Sequence, residues 1–369
     1  MIRPLRIAQA VPPMERVPPD GYGGTERVVD ELTRELVRRG HEVTTFASGD
    51  SDVPGELVPT VPQALRPIGH GGDISGYMIT TLLEVLERER EFDLIHSHLE
   101  WYSLLLQRAT TRPCVATWHG RLDLPWSRDA FAGQPRGQVA ISRSQAAVHP
   151  DVDWTIVHNG LSLDGAPFER RRSDDLVFVG RVTPEKGIVE AIEIARQSDR
   201  PLKIAAKVGP TPQERDFDEH VFRPALREAG SRVEFLGELS GEERDALLAS
   251  SYAVLMPGSW PEPFGLVAIE SLACGTPVLA RRVGALDEII RDGEDGFFGD
   301  DVTELAFLVD RVAGLDRPAI RASVIERFSA TRMADGYEAL YARILGLDED
   351  GPSRAGIVEM RRDAAAAAR

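Results

Sequence analysis

Short, continuously apolar runs rich in β-branched residues recur along this chain, each separated from the next by a segment of helical periodicity. In the first half the runs fall at 5–11, 42–46, 93–96, 114–118, 137–141 and 154–157, and in the second at 175–179, 202–206, 233–236, 253–256 and 277–280. Helical segments are predicted at 25–39, 76–90, 187–197, 217–229, 241–250, 265–274 and 302–312. In the first of these, apolar residues sit at 28, 29, 32, 36 and 37, and Gly40 supplies the stop. Runs without polar alternation suit strands covered on both faces, which is the situation of a parallel sheet. Strand and helix in alternation therefore predict an α/β protein built from doubly wound parallel sheets.

A length of 369 residues accommodates two such domains. The boundary is expected near 160–175, where the Asn159-Gly160 turn signal is followed by Asp164-Gly165-Ala166-Pro167 and a polar stretch. This divides the chain into 1–165 and 166–330; the final segment, 348–369, ends in five alanines and reads as a frayed tail. The net charge is −16, with −6 in residues 1–165 and −10 in the remainder. A surface so acidic excludes nucleic acid as a partner and argues, less strongly, against an anionic membrane. No run of eighteen apolar residues occurs, and the short N-terminal run meets Pro12-Pro13, so neither a membrane span nor a targeting segment is expected. Cys114 and Cys274 alone make no disulfide framework and no cysteine-based zinc site, which points to a cytoplasmic protein. Of 43 basic residues only three are lysines, at 186, 203 and 207.

Ligands of open parallel sheets collect beyond the carboxyl ends of the strands, and four places there carry chemistry. Gly21-Tyr22-Gly23-Gly24-Thr25-Glu26 opens a helix, where free backbone N–H groups meet an anion; the same residues read equally as a plain loop. His96-Ser97-His98 and His119-Gly120 end two strands. Three imidazoles suggest zinc, but no carboxylate completes a ligand set, and His119 fits better as a substrate contact. Arg181 and Lys186 in FVGRVTPEKG bring two cations to one loop, suited to a diphosphate if they are not merely a solvated turn. With lysine so scarce, Lys186 is hard to dismiss as surface filler. Finally, PEPFGLVAIESLACGTP places Glu262 between prolines and Glu270 on the next helix. Carboxylates that accept from hydroxyls thus flank the N–H groups of Phe264, Gly265 and Leu266 at a helix start. That is an inventory for a nucleotide sugar.

Taken together in this order, GYGGTERVV, HSH…WHG, FVGRVTPEKG and the Glu262-x7-Glu270 element resemble the retaining glycosyltransferases of family 4. The resemblance runs to about residue 345 and includes RFSATRMADGYEALY at 327–341. It implies the GT-B fold: two Rossmann-like domains face a central cleft, and a C-terminal helix, 331–347, crosses back to the first. It also implies a nucleoside-diphosphate-sugar donor held mainly by the second domain, with no cofactor and no metal. By position, Arg181 and Lys186 match the pair that binds the pyrophosphate, Glu262 the carboxylate on the donor sugar, and Glu270 the one on the ribose. Phe264–Leu266 would lie along sugar and phosphate, Gly23 and Gly24 would reach the phosphate from the opposite domain, and His119 would face the reacting sugar.

The implied reaction is glycosyl transfer with retained configuration, the leaving diphosphate stabilised by Arg181, Lys186 and the helix start. No carboxylate is evident as a nucleophile, so the acceptor hydroxyl is expected to give its proton to the leaving phosphate. The acceptor is expected on the first domain, along residues 48–76 and around His98, Trp101, Arg121 and Trp126, and to be soluble rather than membrane-embedded. The donor base is expected to be read near 236–238 and 207–211. Three other readings compete: a phosphorylase- or synthase-like relative, a non-catalytic nucleotide-sugar-binding protein, and a dinucleotide oxidoreductase. The last lacks the G-x-G-x-x-G spacing it needs.

Overall fold

The computed structural model describes residues 2–347, apart from positions 22, 71, 134, 135, 170, 171 and 210. The tail expected over 348–369, Tyr22 of the glycine-rich loop and two arginines of the polar connector lie outside the described residues.

Two parallel sheets carry the structure. The first comprises β1 (Arg6–Ala10), β2 (Glu42–Ser48), β3 (Glu56–Val61), β4 (Leu94–Ser97), β5 (Cys114–Trp118), β6 (Gln138–Ala140) and β7 (Trp154–Ile156), in the spatial order 3-2-1-4-5-6-7. The second comprises β8 (Leu176–Arg181), β9 (Leu202–Lys207), β10 (Val233–Gly237), β11 (Ala253–Met256), β12 (Val278–Ala280) and β13 (Gly296–Phe298), in the order 10-9-8-11-12-13. Every pairing in both is parallel. In each sheet the order reverses once, at β1/β4 and at β8/β11, and a crevice opens at such a switch point.

Two strands lie beyond the sequence expectations. β3 is an edge strand carrying Pro59 and is only partly buried, so it lacks a continuous apolar run. β13 is three residues long and begins at a glycine. The helix predicted at 217–229 is instead broken. A Thr211/Glu214 capping box starts it early at Pro212–Phe217, a π-turn follows over Asp218–Phe222, and Pro224 opens the last piece, Arg223–Ala229. A proline there lacks the N–H that a continuous helix needs.

The two halves share one hydrophobic core. Leu5, Val28 and Leu32 of the first belong to the same buried cluster as Val177, Ile269 and Leu272 of the second, and Tyr337 and Tyr341 join it. The chain crosses between halves twice at one place, where Leu161 bridges Ser329. Gly160 permits this approach, because a Cβ there would meet the Ser329 carbonyl oxygen at 2.2 Å.

Helix Ala330–Leu345 then returns to the first half and packs on helix Gly24–Arg38. Glu338 accepts from Arg39 and from His41 Nε2 (2.9 Å), anchoring this helix electrostatically. Burial works against the charge on Glu338, yet these two donors hold its carboxyl below the usual range. Deeper in, the Tyr341 hydroxyl lies 2.7 Å from His96 Nδ1, and the Tyr337 hydroxyl 3.0 Å from Thr117 Oγ1. Both rings are fully buried. Tyr341→Phe leaves a buried imidazole nitrogen without its partner and is expected to lower unfolding free energy by about 1–3 kcal/mol in urea titrations. A loss below about 0.5 kcal/mol would show that the contact does not tie the returning helix to the sheet.

Candidate functional site

The crevice between the two sheets encloses a cavity of about 600 Å³ with walls from both halves. A smaller cavity of about 130 Å³ adjoins it, and Gly23, Gly24 and Leu266 border both. The helix start at Gly24 thus reaches across the cleft: a Cβ at Gly24 would stand 3.5 Å from Leu266 Cδ1.

On the second half, Arg181 is the last residue of β8 and Lys186 lies in the turn Pro184–Lys186 that follows. Both line the larger cavity. Their charges are compensated locally. Arg181 pairs with Glu214 at 3.1 Å and Glu185 at 3.5 Å, while Lys186 Nζ donates to Glu262 Oε1. The Arg181 Nε is buried and has no partner among the described residues. Glu262 follows β11, and its loop is clamped by the Ala285 N–H on its carbonyl (2.9 Å) and by Ser142 Oγ on the Pro263 carbonyl (2.7 Å). Gly265 precedes helix Leu266–Ala273 with φ +107, a left-handed backbone that favours glycine, and no side chain caps that helix. The N–H groups at this start therefore have no side-chain acceptor of their own.

Glu270 borders the smaller cavity and is 6% exposed. It accepts from Arg27 of the first half and lies 3.3 Å from Arg244. Burial, with Arg244 adding repulsion, lowers the Arg27 pKa to about 10. Neither arginine was among the expected site residues. Arg27 sits three positions past Gly24 on a helix that reads as amphipathic surface, and only the pairing of halves brings it to Glu270.

On the first half, His119 follows β5 and lines the cavity. Burial lowers its pKa to about 4, so it is neutral at physiological pH. His98, expected at the acceptor, stands instead behind His119 and is fully buried. Its Nδ1 is 2.9 Å from His119 Nε2, and its Nε2 is 2.7 Å from Gln9 Oε1. His96 stacks on it at 4.1 Å and spends its own nitrogens on Tyr341 and Thr117. The three imidazoles are thus engaged with one another and with the core, and no group of three or more His, Cys, Asp or Glu among the described residues is arranged to hold a metal ion.

Trp101 lines the cavity as part of an aromatic cluster, 4.4 Å from Trp126 and 4.8 Å from Trp118. Arg121, also expected at the acceptor, is committed elsewhere. It forks onto Asp123 at 2.8 and 2.9 Å and stacks over Trp260 of the second half at 4.5 Å. Two carboxyls that were not anticipated line the first-half wall, Glu26 and Glu100, and burial raises each to about 7. The sequence signal for Glu100 was weak: a single acid two residues past His98.

Comparison with known proteins agrees with this geometry. Residues 22–164 match the model described as Glycosyltransferase Family 4, and residues 166–315 match that of Glycosyl transferases group 1. The chain is 27% identical over 360 residues to the glycogen synthase of Mycobacterium tuberculosis, covering 82% of this chain and 84% of that protein. It is 27% identical over 393 residues to the D-inositol 3-phosphate glycosyltransferase of Mycobacterium leprae, covering 88% and 89%. Among solved structures, AviGT4, a glycosyltransferase involved in avilamycin A biosynthesis, superposes with a TM-score of 0.68 at 27% identity over 93% of this chain and 98% of that one. With both halves matched, both sheets parallel and the cleft built from the E-x7-E element and the Arg–Lys loop, the chain belongs to the family 4 glycosyltransferases of the GT-B fold.

Proposed function

We propose that this glycosyltransferase transfers a sugar from a nucleoside-diphosphate sugar to a hydroxyl acceptor with retention of anomeric configuration and without a metal. The observation that carries the reading is the convergence on one cavity of two cations, Arg181 and Lys186, with a helix start that lacks a side-chain cap and the carboxylate of Glu262. In this reading the diphosphate takes the cations from their resting partners, Glu214, Glu185 and Glu262. Glu262, released, accepts from the donor sugar's hydroxyls, and Glu270 accepts from the ribose at the smaller cavity. Gly23 and Gly24 contribute backbone N–H groups from the other half, and Phe264–Leu266 lie along sugar and phosphate.

As the C1–O bond of the donor breaks, negative charge grows on the leaving diphosphate. Cations fixed in a water-poor cleft stabilise that charge more than they stabilise the bound donor. The acceptor hydroxyl attacks from the side the diphosphate leaves and gives it the proton. Neutral His119 faces the reacting sugar as a hydrogen-bonding group rather than as a charge. A phosphorylase- or synthase-like reaction and non-catalytic binding would use the same residues; product formation separates the second from transfer, and the co-substrate separates the first.

Lys186→Ala is expected to cut turnover by at least about 10²-fold, with an unchanged melting curve for the free protein. Near-normal transfer by this variant would refute the diphosphate site. The metal-free part of the proposal is checked separately: protein treated with EDTA and desalted is expected to keep transfer within about twofold of untreated protein. Activity that disappears and returns with Mg²⁺ or Mn²⁺ would contradict it.

A further inference from the structure

The two walls of the cleft differ in how their charges are paired. On the second half, Arg181 and Lys186 line the cavity together with carboxylates that pair with them, Glu185 and Glu262. On the first half, the ionisable groups lining it are Glu26, Arg66, Glu100, Tyr102 and His119. Of these, Arg66 is already paired with Glu15 at 2.9 Å, and His119 is neutral. Glu26 and Glu100 remain without an ion-pair partner among the described residues.

Glu100 is the better placed of the two. It lies just past β4 with φ +49, and its carboxyl accepts from the backbone N–H of His119 (3.2 Å) and of Gly120. These bonds hold the carboxyl directly beside the residue proposed to face the reacting sugar. Burial, with Glu26 adding repulsion, raises its pKa to about 7, the mark of a carboxyl that lacks a countercharge. Glu26 sits in the first turn of its helix, whereas Glu100 ties the chain after β4 to the chain after β5 and also lines the cavity. Asn159, on the same cavity and 4% exposed, adds a carbonyl oxygen without a partner. The wall therefore presents carboxyl and amide oxygens without a countercharge, and a ligand that brings donors or a positive charge favours the ionised carboxylates.

We propose that Glu100 is an acceptor-binding residue whose carboxyl takes a hydrogen bond from a hydroxyl or ammonium group of the acceptor, and that its wall selects an amine-bearing polyol over a neutral one and a neutral one over a phosphorylated one. The inference rests on the donor reading above, which leaves this wall to the acceptor. In a desolvated cleft a phosphate beside Glu26 and Glu100 meets repulsion from the carboxylates or must keep them protonated, whereas an ammonium supplies the missing countercharge.

The test uses three probes of one size, glucosamine, glucose and glucose 6-phosphate, titrated by ligand-observed NMR into protein saturated with UDP, GDP or ADP, whichever raises its melting temperature most. The nucleotide keeps the phosphate probe off Arg181 and Lys186. The expected order of affinity is glucosamine, glucose, glucose 6-phosphate, with about tenfold or more between first and last. In Glu100→Gln, which keeps size and one accepting oxygen, that span should shrink to within about threefold while nucleotide protection is unchanged. Equal affinities, a preference for glucose 6-phosphate, no binding of any probe, or an unaltered span in Glu100→Gln would each overturn the proposal. Because the bound diphosphate itself disfavours glucose 6-phosphate, the change from wild type to variant decides the test; Glu100→Ala, measured beside Glu100→Gln, should shrink the span as well and stands in for it if that variant misfolds. Failure of UDP, GDP and ADP alike to bind would instead overturn the donor reading.

Discussion

Charge compensation inside the cleft is the interaction on which the rest depends. The chain carries −16 overall, yet its two parallel sheets direct loops and helix starts with positive character to one shared crevice. Cations drawn there from water require counterions. The protein supplies them as Glu262 for Lys186, Glu214 and Glu185 for Arg181, and Glu270 for Arg27 and Arg244. In the proposed reaction an incoming diphosphate sugar would offer an anion to the cations and hydroxyls to the carboxylates, so each resting ion pair would be exchanged for a matching contact instead of being lost. The Arg27–Glu270 pair also joins the halves, so the electrostatics of the site and the apposition of its walls are one problem.

The returning helix adds a mechanical counterpart. Tyr341 and Tyr337 reach His96 and Thr117, His96 stacks on His98, and His98 backs His119. The residue at the cavity is thereby supported by a buried polar stack that ends on the last helix described. Rigid support of this kind fixes the direction in which His119 meets the cavity, as its proposed contact with the donor sugar requires.

Much of the fold was legible because parallel strands covered on both faces leave uninterrupted apolar runs. The runs at 114–118 and 253–256 coincide with β5 and β11, and the helix at 241–250, opened by a Ser240/Glu243 capping box, also has its predicted limits. Where a strand is an edge, as β3, or only three residues long, as β13, that signal is absent. In the site, residues on loops after strands were legible by position: Arg181, Lys186 and Glu262 all line the cavity. Direction was not. His98 and His119 both end strands, but which imidazole faces the ligand depends on what packs behind it, and the Tyr337–Tyr341 helix comes from more than two hundred residues away. Arg27, Arg244 and Glu100 were invisible for the same reason, since their meaning lies in long-range partners or in the absence of them.

The central claim is that the second-half wall holds the donor chiefly through its diphosphate. Calorimetric titration of UDP, GDP and ADP, each beside its own nucleoside, tests this most directly. The best-bound diphosphate should exceed its nucleoside by at least about 100-fold, as two fixed cations and a free helix start require. Affinities within about threefold of each other would place the binding energy in the base and ribose, and would contradict the account.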